Sequence, residues 1–353
     1  MIYWNIIIFL SVMSFVGKYT NAYNKIFYYF FIIFLFFFVA FRYAISWDWG
    51  NYLRIYEGYK YATLDDVIGG IEPIFGLTNL LSVKLGFEDI IFTNIVFAMI
   101  VFFFLNLFLL RLKAYWLGLL IYFPVHILIV SMGYVRQAVA IAILLYAFLK
   151  LWDKKHLQFI LWVIIASLSH RTAIIMLMFW PIVFFNLKDS LLKLYSIVAL
   201  ISILGILYLS MESEGNAYTT NQVSSSGIYL RLVLYIVPLF YYYSYRNSYF
   251  KVEFPQFYKV LDFFVLLISM CFLLSFSFST LADRFSLYLI FFNLFICMSL
   301  YCYLPQKPKF NLVLFVVLSH MLSFTIWKIF GFGADPSYSY QNYIINYIKD
   351  SVL

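Results

Sequence analysis

Four arginines, Arg136, Arg171, Arg231 and Arg284, each sit where an apolar run begins. A guanidinium is a planar fork of donors that grips a phosphate through two parallel hydrogen bonds. A helix start carries partial positive charge, so a cation there is misplaced unless an anion joins it. The pattern points to a bound phosphate or diphosphate; the competing reading is snorkelling to lipid head groups. His170, in Ser169-His170-Arg171-Thr172, adjoins one of these arginines and has the chemistry of a general base or of a hydrogen-bond donor to a hydroxyl. A wetted helix-cap histidine is the alternative. Asp48, Glu72 and Asp283 are the carboxylates that compete with it for the role of base.

The segment 42–61, RYAISWDWGNYLRIYEGYKY, interleaves aromatic rings with Asp48, Asn51, Arg54 and Glu57. Rings such as Trp47, Trp49 and Tyr52 suit the CH faces of sugars, and the polar groups suit their hydroxyls. An aromatic belt at a bilayer surface has the same composition. His126 and His320 read as packing residues, and His156 as a solvated loop residue. No HExxH, no paired Cys and His and no outer Asp-x-Asp supports a metal site. Asp65-Asp66 reads as solvated loop. Cys271, Cys297 and Cys302 lack disulfide or metal-ligand spacing. With no nucleotide fingerprint either, an outward-facing transferase must take an already activated, lipid-carried substrate.

The elements that position these groups follow from composition. Of 353 residues, 65% are hydrophobic, 23% aromatic and 11% charged, with a mean hydropathy of +0.92. That excludes a soluble enzyme, a disordered chain and a secreted disulfide scaffold. The fold class is an all-α polytopic membrane protein of about twelve crossings. The apolar runs are 2–16, 26–45, 90–110, 115–131, 134–151, 157–169, 172–187, 194–210, 228–244, 260–281, 285–304 and 310–330. The short pair 157–169 and 172–187 is either two crossings or one broken re-entrant helix. Glu72-Pro73 opens a short amphipathic stretch expected to lie in the interface. The chain reads as a single membrane-embedded domain, 1–353.

Lysine sets the orientation. Twelve of sixteen lysines, with Arg111 and Arg246, fall in alternate short loops beside only three acids. The positive-inside rule makes that side cytoplasmic. The loops 46–89 and 211–227 and the tail 331–353 then face outward, as do the other six arginines. That split between the two cations is what singles the arginines out.

The chain resembles the EpsG-like branch of the Wzy polysaccharide polymerases. The resemblance lies in Arg42-Tyr43 with Trp47-Asp48-Trp49 and Tyr52, then Glu72-Pro73-Ile74-Phe75. Val135-Arg136-Gln137-Ala138, Ser169-His170-Arg171-Thr172-Ala173 and Arg284 with Tyr288 follow, in that order. It implies a GT-C-like inner-membrane glycosyltransferase that serves O-antigen, capsule or exopolysaccharide assembly. Such an enzyme moves a growing glycan from undecaprenyl diphosphate to a new lipid-linked repeat unit, with the active side facing the periplasm. It implies a diphosphate held by Arg136, Arg171 and Arg284, with Arg42 or Arg231 helping. Sugars would meet Trp47, Trp49, Tyr52 and Gln137. No cofactor, no metal and no nucleic acid is expected; the partners would be membrane lipid and a chain-length regulator. The rival readings are a lipid-linked oligosaccharide flippase, an O-antigen ligase and a membrane acyltransferase.

The orientation is checked by reporter fusions. Fusions at Lys154, Lys251 and Lys307 should report cytoplasm, and a fusion at Tyr61 the outside. A cytoplasmic signal from Tyr61 would reverse the orientation.

Overall fold

The computed structural model describes residues 1–17, 22–46, 48–70, 72–213, 225, 227–331 and 339–352. Among these residues the chain is helical, with one isolated antiparallel bridge between Arg42 and Asn342 and no strand. Every apolar run named above falls on helical segments. Among the described residues, six helices are long and apolar enough to cross a membrane: Ala22–Ala40, Ile91–Leu112, Val135–Trp152, Gly227–Glu253, Ser279–Tyr303 and Gln306–Phe330. Shorter apolar helices accompany them, including Ile2–Val16, Tyr115–Ser131, His156–Ser169 and Arg171–Phe184. The chain is therefore a polytopic membrane protein.

The residues gather into two compact units. The first comprises Met1–Tyr146, Ile165–Arg171 and Lys328–Leu353; the second comprises Ala147–Ile164 and Thr172–Trp327.

In the first unit, α1 (Ile2–Val16) packs on α7 (Tyr115–Tyr122), and α2 (Ala22–Ala40) on α6 (Ile91–Leu112). The segment after α2 folds into three helices, α3 (Trp49–Tyr59), α4 (Leu64–Ile68) and α5 (Pro73–Lys84). Thr63 opens α4 with a capping box. Asp66 accepts from the Thr63 backbone N–H at 2.8 Å, and the Thr63 hydroxyl accepts from the Asp66 N–H at 3.3 Å. That hydroxyl also donates to the Asp66 carboxylate at 2.6 Å, and these bonds hold its pKa down. Asp66 is thus a capping residue of the loop; its Thr-x-x-Asp spacing carries the signal.

Pro73 stands at the first position of α5 and Glu72 at its N-cap, as expected. The stretch is two-faced: Leu77, Leu81 and Leu85 are exposed along one side. Phe75, Asn79, Leu80 and Ser82 are buried in α5. Asn79 accepts from Thr93 of α6 at 2.9 Å, and Tyr56 of α3 donates to the Phe87 carbonyl at 2.6 Å. The helix packs one face into the unit, with Phe75 and Leu80 beside these polar groups, and leaves the other exposed. Near the C-terminus, Tyr343 donates its backbone N–H to Phe41, and Tyr43 donates to Gln341. The start of α18 (Tyr343–Val352) is thereby tied to the chain leaving α2.

The second unit is built on α12 (Gly227–Tyr245), α14 (Tyr258–Leu274), α15 (Ser279–Ser286) and α16 (Ile290–Tyr303), with α17 (Gln306–Phe330). Every residue of Ile290–Leu300 is buried, as befits a helix apolar on all sides. Phe148, Phe179, Phe264 and Phe291 form an aromatic cluster with centroids 4.3–5.5 Å apart where they touch.

Gly76 decides how closely α5 can approach. A Cβ there would lie 2.8 Å from Val67 Cγ1 and 3.0 Å from the Tyr59 hydroxyl. Helix propensity alone favours Gly→Ala by about 1 kcal/mol. The clash with buried Val67 opposes this, so Gly76→Ala should lower the melting temperature of purified protein. A rise would mean that α4 gives way freely.

Candidate functional site

Glu72, Arg136 and His170 come from three separate stretches of sequence and meet in the first unit. Glu72 is presented by the start of α5, where Pro73 fixes the chain direction and the Glu72 carbonyl accepts from the Phe75 and Gly76 amides. Arg136 occupies the first turn of α8 (Val135–Trp152). His170 lies at the break between α9 (His156–Ser169) and the 3₁₀ segment Arg171–Phe179.

One carboxylate joins the other two groups. Arg136 Nη1 donates to Glu72 Oε2 at 2.5 Å, and His170 Nδ1 lies 2.6 Å from Glu72 Oε1. Only 8% of the Glu72 side chain is exposed, against 16% for His170 and 37% for Arg136. The Arg136 guanidinium also sits 5.9 Å from the Tyr52 ring and 5.5 Å from Phe75. These rings fix its plane and leave part of it to solvent.

Burial pushes the Glu72 carboxyl up, since it disfavours the charged form. The His170 hydrogen bond and the Arg136 charge outweigh that, and the pKa lies below the ordinary value. Glu72 is then a carboxylate, which only accepts. The proton between it and His170 therefore sits on Nδ1. In a neutral ring, Nε2 is then the basic nitrogen. The Tyr59 phenol stands within the same field. Burial raises its pKa, the Arg136 charge lowers it and the Glu72 charge adds to the rise. It stays a neutral hydroxyl. Tyr59 and Phe75 are additions to the expected residues; Tyr59 lies in the aromatic run 42–61 and Phe75 in Glu72-Pro73-Ile74-Phe75.

The remaining expected residues are placed differently. Arg42 is 1% exposed. Its Nε donates to the Met132 carbonyl, Nη1 to Val39 and Nη2 to Asn94, at 3.1, 3.0 and 2.7 Å. Its fork is spent inside the protein, so it is a structural arginine. Trp49 and Tyr52 are 9% and 7% exposed. Trp49 packs against Tyr43, and Tyr52 against Phe75. Their rings serve packing in this structure, not an open sugar platform. Gln137 is buried beside Arg136. Asp48 is half-buried at the start of α3, 3.5 Å from the Asn51 amide. Trp47 lies outside the described residues, as does most of 211–227. Arg171 is half-buried as the first residue of the 3₁₀ segment.

In the second unit, Arg231 of α12 forms a buried ion pair with Asp283 of α15. This pairs an expected phosphate ligand with an expected base. Arg284 is half-buried in the last turn of α15, not at a helix start, because the helix begins at Ser279. Thr172 and Tyr288 share a hydrogen bond at 2.8 Å. His320 is buried with Nδ1 2.8 Å from the Val316 carbonyl, and His126 stacks on Tyr122. Both are packing residues, as expected. His156 is half-buried and stands edge-on to Phe184, where a solvated side chain was expected.

No curated protein and no solved structure matches the chain. A family profile described as the EpsG family matches residues 25–345. The matched stretch includes Glu72, Arg136, His170 and the Thr172–Tyr288 pair, and it covers nearly the whole chain. The chain belongs to the EpsG family, a Wzy-like polymerase family.

Proposed function

We propose that the chain polymerises polyprenyl-diphosphate-linked oligosaccharide repeat units on the outer face of the bacterial inner membrane. The donor would be the growing glycan on undecaprenyl diphosphate, and the acceptor a new lipid-linked repeat unit. The glycan would become O-antigen, capsule or exopolysaccharide. The whole chain acts as one GT-C-like, metal-independent glycosyltransferase of about twelve crossings. The observation that carries this reading is the Glu72 bridge between Arg136 and His170.

The chemistry follows from that bridge. The bond from the donor sugar's anomeric carbon to the diphosphate oxygen breaks, and the electron pair leaves with the diphosphate. The acceptor hydroxyl oxygen forms the new glycosidic bond and loses its proton to His170 Nε2. Glu72 accepts from Nδ1–H, fixes the ring and stabilises the imidazolium that forms. Arg136 and Arg171 stabilise the charge that develops on the leaving diphosphate. Asp48 is the alternative base. The arginines do the neutralisation that a divalent cation does elsewhere, so activity should persist in EDTA.

The test is a single-turnover transfer assay on purified lipid-linked repeat units, run beside a binding titration. His170→Gln should cut turnover by about 10²–10⁴-fold while diphosphate-lipid binding survives. Normal turnover would move the base to Asp48. Joint loss of binding and turnover would make His170 a positioning residue only.

Arg136→Lys and Arg171→Lys should each lose most activity, because an ammonium lacks the planar fork. Lys113→Ala, in a loop on the other side, should act like wild type. Wild-type rates in both arginine variants would favour head-group snorkelling.

Glu72 also gives a pH dependence. Its folded pKa is depressed, so its stabilisation is complete above the ordinary carboxylate value and is lost as pH falls through the folded one. Glu72→Gln should lack that acid-side loss of melting temperature. An unchanged acid limb would mean that Glu72 is not held ionised.

A further inference from the structure

A second polar cluster lies in the second unit, apart from the site above. α12 ends in a π-helical turn, Arg246–Phe250. Arg246 reaches Asp262 of α14 through Nε and Nη2, at 2.7 and 2.5 Å. The Tyr242 hydroxyl donates to the same carboxylate at 2.7 Å. Asp262 is therefore fully engaged. Arg246 Nη1 has only a 3.5 Å contact with the Asn247 side chain, and a quarter of the Arg246 side chain is exposed.

Around this pair opens a cleft of about 540 Å³, lined by Tyr243, Arg246, Asn247, Asp262, Val265, Leu266 and Ser269. Its lining changes character along α14. Asp262 stands in the second turn, Val265 and Leu266 one turn deeper and Ser269 one turn beyond. At 1.5 Å per residue the cleft runs about 10 Å along the helix. Polar groups at the loop end give way to Val265 and Leu266 one turn along, and the exposed Ser269 closes the far end. That gradient matches the order of groups in a phospholipid: head group at the boundary, glycerol and acyl chain further in.

The charge selects the sign of the ligand. Arg246 and Lys251 both lie 5.5 Å from the centroid of the Tyr258 ring. Asp262 already pairs with Arg246, and Lys251 adds a positive charge beside that pair. Between Tyr245 and Asp262 the sequence has three cations, Arg246, Lys251 and Lys259, and two acids, Glu253 and Asp262. Lys259 is spent on the Leu187 carbonyl at 2.6 Å.

We propose that this cleft binds one anionic phospholipid, with its phosphodiester on Arg246 and Asn247 and its glycerol and first methylenes against Val265 and Leu266. Free phosphate shares the head-group chemistry but gains nothing from the apolar wall. The proposal does not depend on the glycosyltransferase reading.

Native mass spectrometry of the detergent-purified protein, titrated with phosphatidylglycerol, tests it. Wild type should retain one phosphatidylglycerol, bind phosphatidylcholine about tenfold more weakly and resist displacement by inorganic phosphate. Ser269→Trp fills the cleft from an exposed position and should lose the lipid with no change in lipid-free melting temperature. Arg246→Gln alone strands the Asp262 carboxylate, so the paired Arg246→Gln/Asp262→Asn variant is the one to use; it should lose retention too. Unchanged retention in Ser269→Trp overturns the proposal. Equal binding of phosphatidylcholine overturns the anionic head group. Displacement by millimolar phosphate makes the site one for a soluble phosphate.

Discussion

An ionised carboxylate with only 8% of its surface exposed is stable only where cations or strong donors meet both oxygens. Glu72 meets that condition with Arg136 on one oxygen and His170 on the other. The demand fixes more than a contact. It sets the start of α5 against the start of α8 and against the break after α9. The three small helices 49–84 are the scaffold for that placement. Gly76 lets α5 approach Val67 and Tyr59, and Phe75 closes over the guanidinium. Asn79 then ties the scaffold to Thr93 of α6, while Tyr56 links α3 to Ser82 of α5 and to the Phe87 carbonyl.

The arginines also show why a cation census overreads ligand binding. Six of the eight fall outside the lysine-rich loops, and a bound anion would explain that. Burial explains part of it without a ligand. A guanidinium is less strongly hydrated than an ammonium and can spread its donors over fixed acceptors. Arg42 satisfies three donors on Met132, Val39 and Asn94, and Arg231 is buried against Asp283. Only residues that keep part of the fork exposed remain useful for a ligand. Arg136 is the clearest case: its guanidinium is anchored on Glu72, yet over a third of the side chain is exposed.

The helices were legible because a bilayer imposes runs of apolar residues that stand out against any joint. The motifs were legible as residues but not as a constellation. Glu72 and His170 appeared as rivals for one role, the base. The fold makes them partners, because a carboxylate facing Nδ1 sets the ring's tautomer. Nothing in spacing predicts a contact between residues 98 positions apart. The aromatic segment failed for a different reason. Trp49 and Tyr52 have the composition of a sugar platform, yet the same rings fill the gaps among α3, α5 and α18. Composition cannot tell a stacking surface from a packed one.

The segment that follows His170 adds a constraint of length. α9 has 14 residues and spans about 21 Å, short of the roughly 30 Å hydrocarbon core. Arg171–Phe184 also has 14 residues, but nine of them, Arg171–Phe179, are 3₁₀. At about 2.0 Å per residue that stretch covers about 18 Å where an α-helix would cover about 14 Å, and the whole segment reaches about 25 Å. A 3₁₀ run this long is uncommon, since its hydrogen bonds are poorer and its side chains eclipse. Stretching the helix lengthens the apolar run that follows His170 without adding residues. The same residues wound as a plain α-helix would be about 4 Å shorter. The break at His170 is thus more than a gap between helices: it frees the ring from a regular helix at the point where it meets Glu72.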